Sequence, residues 1–147
     1  MKAFRFRLEP ILTLRSWEEE RARAAYGQAL QQETRFVEAL RQADARIEAA
    51  VDAWRRELAA SAPAGERALR WRHLLGLERE RVDIVQKVLS ARRIREQKMK
   101  VLVEAHRRVR ILENLSAKQR QKHFHEAHRR EEKELDELVT ARFQPDL

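Results

Sequence analysis

The sequence predicts an all-α protein, a long antiparallel coiled coil of two helices in which the second helix is the longer. Charged residues make up 38% of the chain and only three residues are glycine, a composition typical of long helices that bury a narrow stripe. Apolar residues recur at three- and four-residue spacing on both sides of a single break. That break, AASAPAGER at residues 59–67, contains Ser61, Pro63 and Gly65 and is typical of a helix end followed by a new helix start.

We predict one hairpin domain, residues 1–147, with the following parts. They are a lead-in at residues 1–9, helix one at 10–60, a loop at 61–65, helix two at 66–141 and a tail at 142–147. At 1.5 Å per residue, the helices would measure about 75 Å and about 115 Å, so helix two extends several turns beyond helix one. Pro10 suits a first helical turn, where the missing N–H costs no hydrogen bond.

The apolar rows predict which faces meet. In helix one the row contains Tyr26, Leu30, Val37, Leu40, Ile47, Val51, Trp54 and Leu58, with Glu33 and Asp44 as its polar members. Helix two carries two interleaved rows. The first contains Trp71, Leu75, Val82, Val85 and Leu89, and the second contains Leu74, Leu77, Ile84, Val88, Ala91, Leu102, Ala105, Val109 and Leu112. A late row contains Phe124, Leu135 and Leu138. Such changes of row are stutters of the heptad pattern.

Apolar bulk is concentrated near the break. Trp54, Leu58, Trp71, Leu74, Leu75, Leu77 and Ile84 provide more apolar area than two helices can bury between them. Two interpretations follow: a plug that closes the hairpin tip, or an exposed patch that binds a partner.

The positive charge lies mainly in helix two. The chain has a net charge of +8, and residues 92–110 hold eight basic and two acidic side chains. This stripe favours an acidic partner, which could be nucleic acid, an anionic membrane or an acidic protein surface. Because the stripe is in mid-helix and has no interleaved aromatic side chains for base stacking, nucleic acid is the less favoured of these partners.

The sequence offers little for catalysis, metals or cofactors. It has no cysteine, no Gly-rich phosphate loop and no nucleophile elbow, so we expect neither an enzyme nor a cofactor. His123, His125 and His128 fall within six residues, but they cannot easily converge on one metal ion, and we expect no metal site. No apolar run is long enough for a transmembrane helix or a signal peptide, and we therefore expect a cytoplasmic protein.

Three blocks of sequence resemble the FliJ family of flagellar type III export proteins. FRFRLEPILTLRSWEEERA is similar to the N-terminal signature of the family, and ALRWRHLLGLERERVDIV is similar to the block that follows its loop. KQRQKHFHEAHRREEKELDELVTAR is similar to its closing block. The resemblance implies a hairpin like the central stalk of the rotary F-type ATPase gamma subunit. It also implies three partners: the hexameric export ATPase, the cytoplasmic domain of the export-gate membrane protein, and export chaperones.

The resemblance further implies two sets of contact residues and a location. Candidates for contact with the ATPase are Phe4, Arg5, Phe6, Arg7, Leu8, Arg130, Glu132, Lys133, Asp136 and Glu137. Candidates for contact with the export gate are Ile47, Ala50, Trp54, Leu77, Arg81, Ile84 and Val88. The expected location is peripheral, at the export apparatus on the cytoplasmic face of the inner membrane.

Two other functions fit the same features. The SctO-type stalk protein of virulence secretion shares the hairpin and the charged C-terminal block, although FRFRLEPIL favours the flagellar branch. A basic coiled-coil protein associated with nucleic acid is the second alternative. It would bind DNA with a steep salt dependence and leave the export ATPase unaffected.

Overall fold

Two helices form almost all of the computed structural model, which describes residues 2–143. Helix α1 is Glu9–Ala59 and helix α2 is Ala64–Phe143. The predicted fold class is confirmed: the two helices form a hairpin, α2 is the longer, and the described residues contain no strand. The predicted helix ends differ from these by one or two residues, and residues 144–147 of the predicted tail lie outside the described residues.

Contacts divide the chain into two compact units. One unit, called here the clasp unit, joins residues 1–20 to residues 103–147. The other, called here the turn unit, consists of residues 21–102. Each unit contains a length of both helices.

Two backbone hydrogen bonds lie at the start of α1. The N–H of Glu9 donates to the carbonyl of Phe6 at 3.1 Å, and the N–H of Leu12 donates to that of Leu8 at 2.9 Å. Pro10 occupies the first turn, where no N–H is needed. The carboxylate of Glu9 lies at the positive end of the helix dipole, and Arg56 lies in the last turn at the negative end. Both charges therefore stabilise the helix ends.

A left-handed residue ends α1, and that residue is a serine. Ser61 has φ of 55°. The N–H of Ala62 donates to the carbonyl of Glu57 at 3.2 Å, and the N–H of Ser61 donates to that of Leu58 at 3.4 Å. This pair of bonds is the Schellman pattern, in which glycine is the usual left-handed residue. Gly65, which the sequence suggested as part of the loop, instead lies in the first turn of α2.

The interface of the turn unit is built around small side chains. The buried residues of α1 are Ala22, Ala29 and Ala43, which are spaced by multiples of seven. The buried residues of α2 in this unit are Leu77, Val88 and Ala91. The inward row of α1 thus combines these alanines with half-buried Phe36, which occupies the same heptad position between Ala29 and Ala43.

The predicted α1 row is correct at five of its eight apolar residues and wrong at three, Leu30, Val37 and Leu58. Tyr26, Leu40 and Ile47 are half-buried as expected, but Leu30 and Val37 are exposed. Leu30 directly follows Ala29 of the inward row, and Val37 directly follows the position seven residues after Ala29. The same heptad position holds a large side chain, half-buried Phe36, between Ala29 and Ala43, whereas Leu30 and Val37 lie one position further round α1, at the flank of the interface.

In α2, one of the two predicted rows is correct. The row that contains Leu77, Val88 and Ala91 faces α1. In the other row, Trp71, Leu75, Val82 and Leu89 are exposed and Val85 is half-buried. A two-helix hairpin has one partner helix for α2 and can cover one such row only.

Ion pairs join the two helices of the turn unit. Arg70 contacts Glu57, and Arg81 Nε lies 2.5 Å from Asp44 Oδ1. Glu33 replaces an apolar residue in the α1 row and is contacted by Arg95 and, at 3.5 Å, by Arg92. The hydrogen bond that Arg81 donates to Asp44 raises the pKa of Arg81, and the one that Arg95 donates to Glu33 raises the pKa of Arg95. These pairs favour the observed register over neighbouring ones.

The clasp unit uses the same kind of interface and adds a covering segment. Ala105 and Val109 of α2 are buried, as is Phe6, which precedes α1. Glu19 of α1 reaches α2, where its Oε1 lies 2.8 Å from His106 Nδ1.

The serine at the left-handed position predicts a stabilising substitution. Ser61→Gly should raise the free energy of unfolding by about 1 kcal/mol, because glycine adopts a left-handed conformation without the steric cost of a Cβ. Urea unfolding followed by circular dichroism at 222 nm measures this change.

A matched control applies the same substitution inside a helix. Ser90 is exposed in α2 of the same unit, and Ser90→Gly should lower stability by about 0.5 kcal/mol, since glycine is the poorer helix former. Equal effects of the two substitutions would show that Ser61 is not held left-handed.

Candidate partner-binding surfaces

Residues 2–8 form a segment that packs on α2 in the clasp unit. Phe6 is buried, and the ring of Phe4 lies 5.7 Å from that of His123. The guanidinium of Arg120 lies 5.5 Å from the Phe4 ring centroid, a cation–π geometry. His123 Nε2 donates a hydrogen bond to the carbonyl oxygen of Lys2 at 3.0 Å. Aromatic and backbone contacts therefore hold this segment against α2.

Apolar and basic residues alternate in this segment and lie on two different sides of it. Phe4 and Leu8 are half-buried and Phe6 is buried, whereas Arg5 and Arg7 are exposed. The apolar side chains thus attach the segment to α2, and the arginines remain available to a partner. Contact of these residues with an ATPase stays a prediction.

The other predicted ATPase contacts lie on a fully exposed stretch of α2 in the same unit. Every residue from 128 to 143 is exposed. This stretch carries all five predicted residues: Arg130, Glu132, Lys133, Asp136 and Glu137. A cleft of about 360 Å³ is lined by Arg130, Lys2 and His123, among others. The structure therefore brings both predicted groups, the segment and the closing block, into the clasp unit.

The predicted gate contacts lie in the turn unit, at the interface of the two helices. Leu77 and Val88 are buried. The remaining five are half-buried: Ile47, Ala50, Trp54, Arg81 and Ile84. Their burial gives these residues a role in holding α1 to α2. Their contact with an export gate stays a prediction.

The exposed α2 row offers a free surface beside these residues. We call it the apolar stripe: Trp71, Leu75, Val82 and Leu89. Trp71 is 49% exposed and Val82 is 55% exposed, and all four lie within a narrow range of helical angle. The ring of Trp71 lies 5.8 Å from that of Trp54 at 47°. The apolar stripe therefore borders the interface through the two tryptophans.

The sequence contained a signal for the apolar stripe. Two apolar rows on α2 were noted, together with surplus bulk near the break. Of that bulk, Leu77 is buried, Trp54 is half-buried, and Leu58, Trp71 and Leu75 are exposed. The second interpretation, an exposed patch, therefore describes part of this bulk. A plug would have buried both tryptophans.

Many of the basic side chains of residues 92–110 have acidic partners. In the turn unit, Arg92 and Arg95 contact Glu33. In the clasp unit, Arg107 and Arg108 lie 3.9 and 3.4 Å from the carboxylate of Glu104. This pairing reduces the positive charge that residues 92–110 offer to an external polyanion.

The histidines do not form a metal site in the part of the chain that the structure describes. No group of three His, Asp or Glu side chains there is arranged to hold an ion. His123 bonds to Lys2, and His128 Nε2 lies 3.2 Å from Glu132 Oε1. No helix of residues 2–143 has the length and apolar character to cross a membrane.

The packing of the N-terminal segment predicts a local change in protection. Phe6→Ala should detach residues 2–8 and speed hydrogen exchange of the Glu9 amide, whose N–H donates to the Phe6 carbonyl, about tenfold or more, since a buried Phe truncation costs several kcal/mol. Arg5→Ala removes an exposed side chain and should leave exchange unchanged. Equal exchange in the two variants would show that Phe6 does not anchor the segment.

Comparison with known proteins gives one match. The model of the FliJ family, described as flagellar FliJ protein, matches residues 4–146. No curated protein and no solved structure gives a significant match. The family match extends over both helices, the turn and the N-terminal segment, and the chain therefore belongs to the FliJ family of flagellar proteins.

Proposed function

We propose that this protein works in flagellar type III export as the central stalk of the hexameric export ATPase. In this role it stimulates the ATPase and links it to the export gate. Family membership supports the setting. The observation that carries the stalk role is that the two units expose different groups: charges of both signs at residues 128–143 in the clasp unit, and the apolar stripe in the turn unit.

The charged surface suits the wall of an ATPase pore. Arg5 and Arg7 project from the attached segment, and residues 128–143 are exposed with both signs of charge interspersed. Interspersed exposed charges steer and orient a polar partner without a large apolar contact. We assign the ATPase contact to the arginines and the closing block, with Phe4, Phe6 and Leu8 fixing the segment that presents them.

The apolar surface suits the export gate. Large apolar side chains left exposed on a soluble helix mark protein-binding sites, and tryptophan is a frequent anchor residue in such sites. We propose that the gate domain contacts the apolar stripe and its half-buried neighbours Trp54 and Arg81. The buried members of the predicted gate set, Leu77 and Val88, then act by holding α2 in place.

The remaining roles follow from the same setting. We propose that the protein also escorts export chaperones and associates peripherally with the inner-membrane export apparatus. It contributes no catalytic group in this scheme, because the chemistry belongs to the ATPase. The virulence-secretion alternative has the weaker support, since the matched family is flagellar.

Substitutions at the two surfaces should separate two activities. Arg5→Glu with Arg7→Glu should weaken stimulation of ATP hydrolysis by the export ATPase about tenfold in apparent affinity, because two contact charges are reversed. Trp71→Ala with Val82→Ala should weaken binding to the gate domain about tenfold or more, through loss of an apolar anchor. Each double variant should keep the other activity.

Matched controls apply the same changes elsewhere on the surface. Arg35→Glu with Arg46→Glu reverses two exposed arginines of α1. Ile94→Ala with Val101→Ala truncates two apolar side chains of similar exposure to the stripe. Both controls should behave as the unaltered protein. If the unaltered protein neither stimulates the ATPase nor elutes with its hexamer, the stalk proposal is wrong.

A further inference from the structure

The buried side of α2 in the clasp unit defines a side that faces outward. Ala105 and Val109 are buried, and half-buried Ser116 lies at their mean helical angle. The third of the helix that is centred opposite these residues is exposed at every position between residues 107 and 125. We call it the outward face, and its members are Arg107, Arg110, Ile111, Asn114, Lys118, Gln121, Lys122 and His125.

Positive charge dominates the outward face when side chains are assigned by helical angle. The face carries four Lys or Arg side chains, one histidine and no carboxylate. Glu113 is the one acidic residue between residues 107 and 125, and it lies about 120° from the centre of the face. Arg110 lies 3.3 Å from Glu113, and Arg107 lies 3.9 Å from Glu104, which precedes the face. Both pairs are exposed and contribute little stability, so an outside anion can replace the carboxylates.

A groove on the outward face gathers its lysines. It has a volume of about 370 Å³ and is lined by Lys118, Gln121, Lys122 and His125. Each of these side chains can donate hydrogen bonds, and hydrogen bonds from an ammonium group to an anionic oxygen are the stronger kind. The groove therefore suits a phosphate oxygen.

We propose that the outward face binds the surface of a bilayer that contains anionic lipid. Clusters of about four to eight basic side chains on one helix face are typical of binding to anionic lipid headgroups. A helix brings the side chains of one face to a plane together, and the outward face is about 27 Å long. The contact is with headgroups, since the face has one apolar member only, Ile111.

Other polyanions suit the outward face less well. It has no Phe, Tyr or Trp on which the bases of a nucleic acid could stack. A protein partner is commonly anchored by large buried side chains, and Ile111 alone offers little for such an anchor. A flat anionic surface needs neither feature.

The inference rests on the peripheral association proposed above and names the lipid surface as a partner in it. No member of the outward face belongs to the residues assigned to the ATPase or to the export gate. Lipid binding and the two protein contacts can therefore be altered separately.

Co-sedimentation of the isolated chain with vesicles tests the inference. Vesicles of phosphatidylcholine and phosphatidylglycerol at about two to one should bind the chain, and vesicles of phosphatidylcholine alone should not. Binding should fall steeply as salt is raised, because the contact is electrostatic. Lys118→Glu with Lys122→Glu should weaken binding about tenfold or more, since two attractive charges become repulsive.

A matched control changes the net charge by the same amount on α1. Arg35→Glu with Arg46→Glu alters two exposed arginines of the turn unit and should leave vesicle binding nearly unchanged. Circular dichroism at 222 nm checks that both double variants remain helical. An equal loss in the two variants would show that net charge governs binding, and would overturn the inference.

A dye attached to a single cysteine tests which side of α2 meets the lipid. Asn114→Cys places the dye on the outward face, and Gln119→Cys places it about 120° from the centre of that face. A headgroup-labelled quencher lipid should quench the dye at residue 114 about twofold or more over the dye at residue 119. Equal quenching at the two sites would contradict the assigned face.

Two further outcomes would overturn the inference: no binding to the anionic vesicles, and binding to duplex DNA without binding to vesicles. The second result would assign the face to nucleic acid. The vesicle assay contains neither the ATPase nor the gate domain, so failure of the stalk proposal would leave its result unchanged. Failure of vesicle binding would equally leave ATPase stimulation and gate binding untouched.

Discussion

Close contact between small side chains is the constraint on which the rest of the structure depends. In the turn unit, the buried residues are Ala22, Ala29 and Ala43 of α1 and Leu77, Val88 and Ala91 of α2. Larger residues of α2, Leu77 and Val88, pack inside with these alanines. Because α1 is the one helix that covers α2 in this unit, only one apolar row of α2 is buried and the apolar stripe stays exposed.

Much of the fold follows from the sequence because its signals are local. The break at residues 59–67 and the spacing of apolar residues predict two helices and the longer second one. The choice of inward row is not local, since it depends on how closely the helices approach. Leu30 is more apolar than Ala29, and a reading by hydropathy places Leu30 inside, whereas Ala29 is the buried residue and Leu30 is exposed. Ser61 is a similar case, because the left-handed position usually held by glycine is taken here by a serine.

The candidate surfaces can likewise be predicted from the sequence only where the signal is local. The alternation of Phe4, Arg5, Phe6 and Arg7 predicts one inward and one outward side, and the contacts with Arg120 and His123 realise it. The partner His123 lies more than a hundred residues away in sequence, so no local pattern reveals it. The predicted gate contacts were assigned from resemblance and fall largely inside the interface. Exposure of the neighbouring row required knowledge of which α2 face is covered.

The inward position of the alanine row is the central claim, and cysteine accessibility tests it most directly. The chain has no cysteine of its own, so a single introduced thiol reports on one site. Ala43→Cys should react with a maleimide at least about tenfold more slowly than Val37→Cys, because Ala43 is 3% exposed and Val37 is 41% exposed. Rapid labelling at residue 43 with protection at residue 37 would show that the branched row is buried, and would contradict the account.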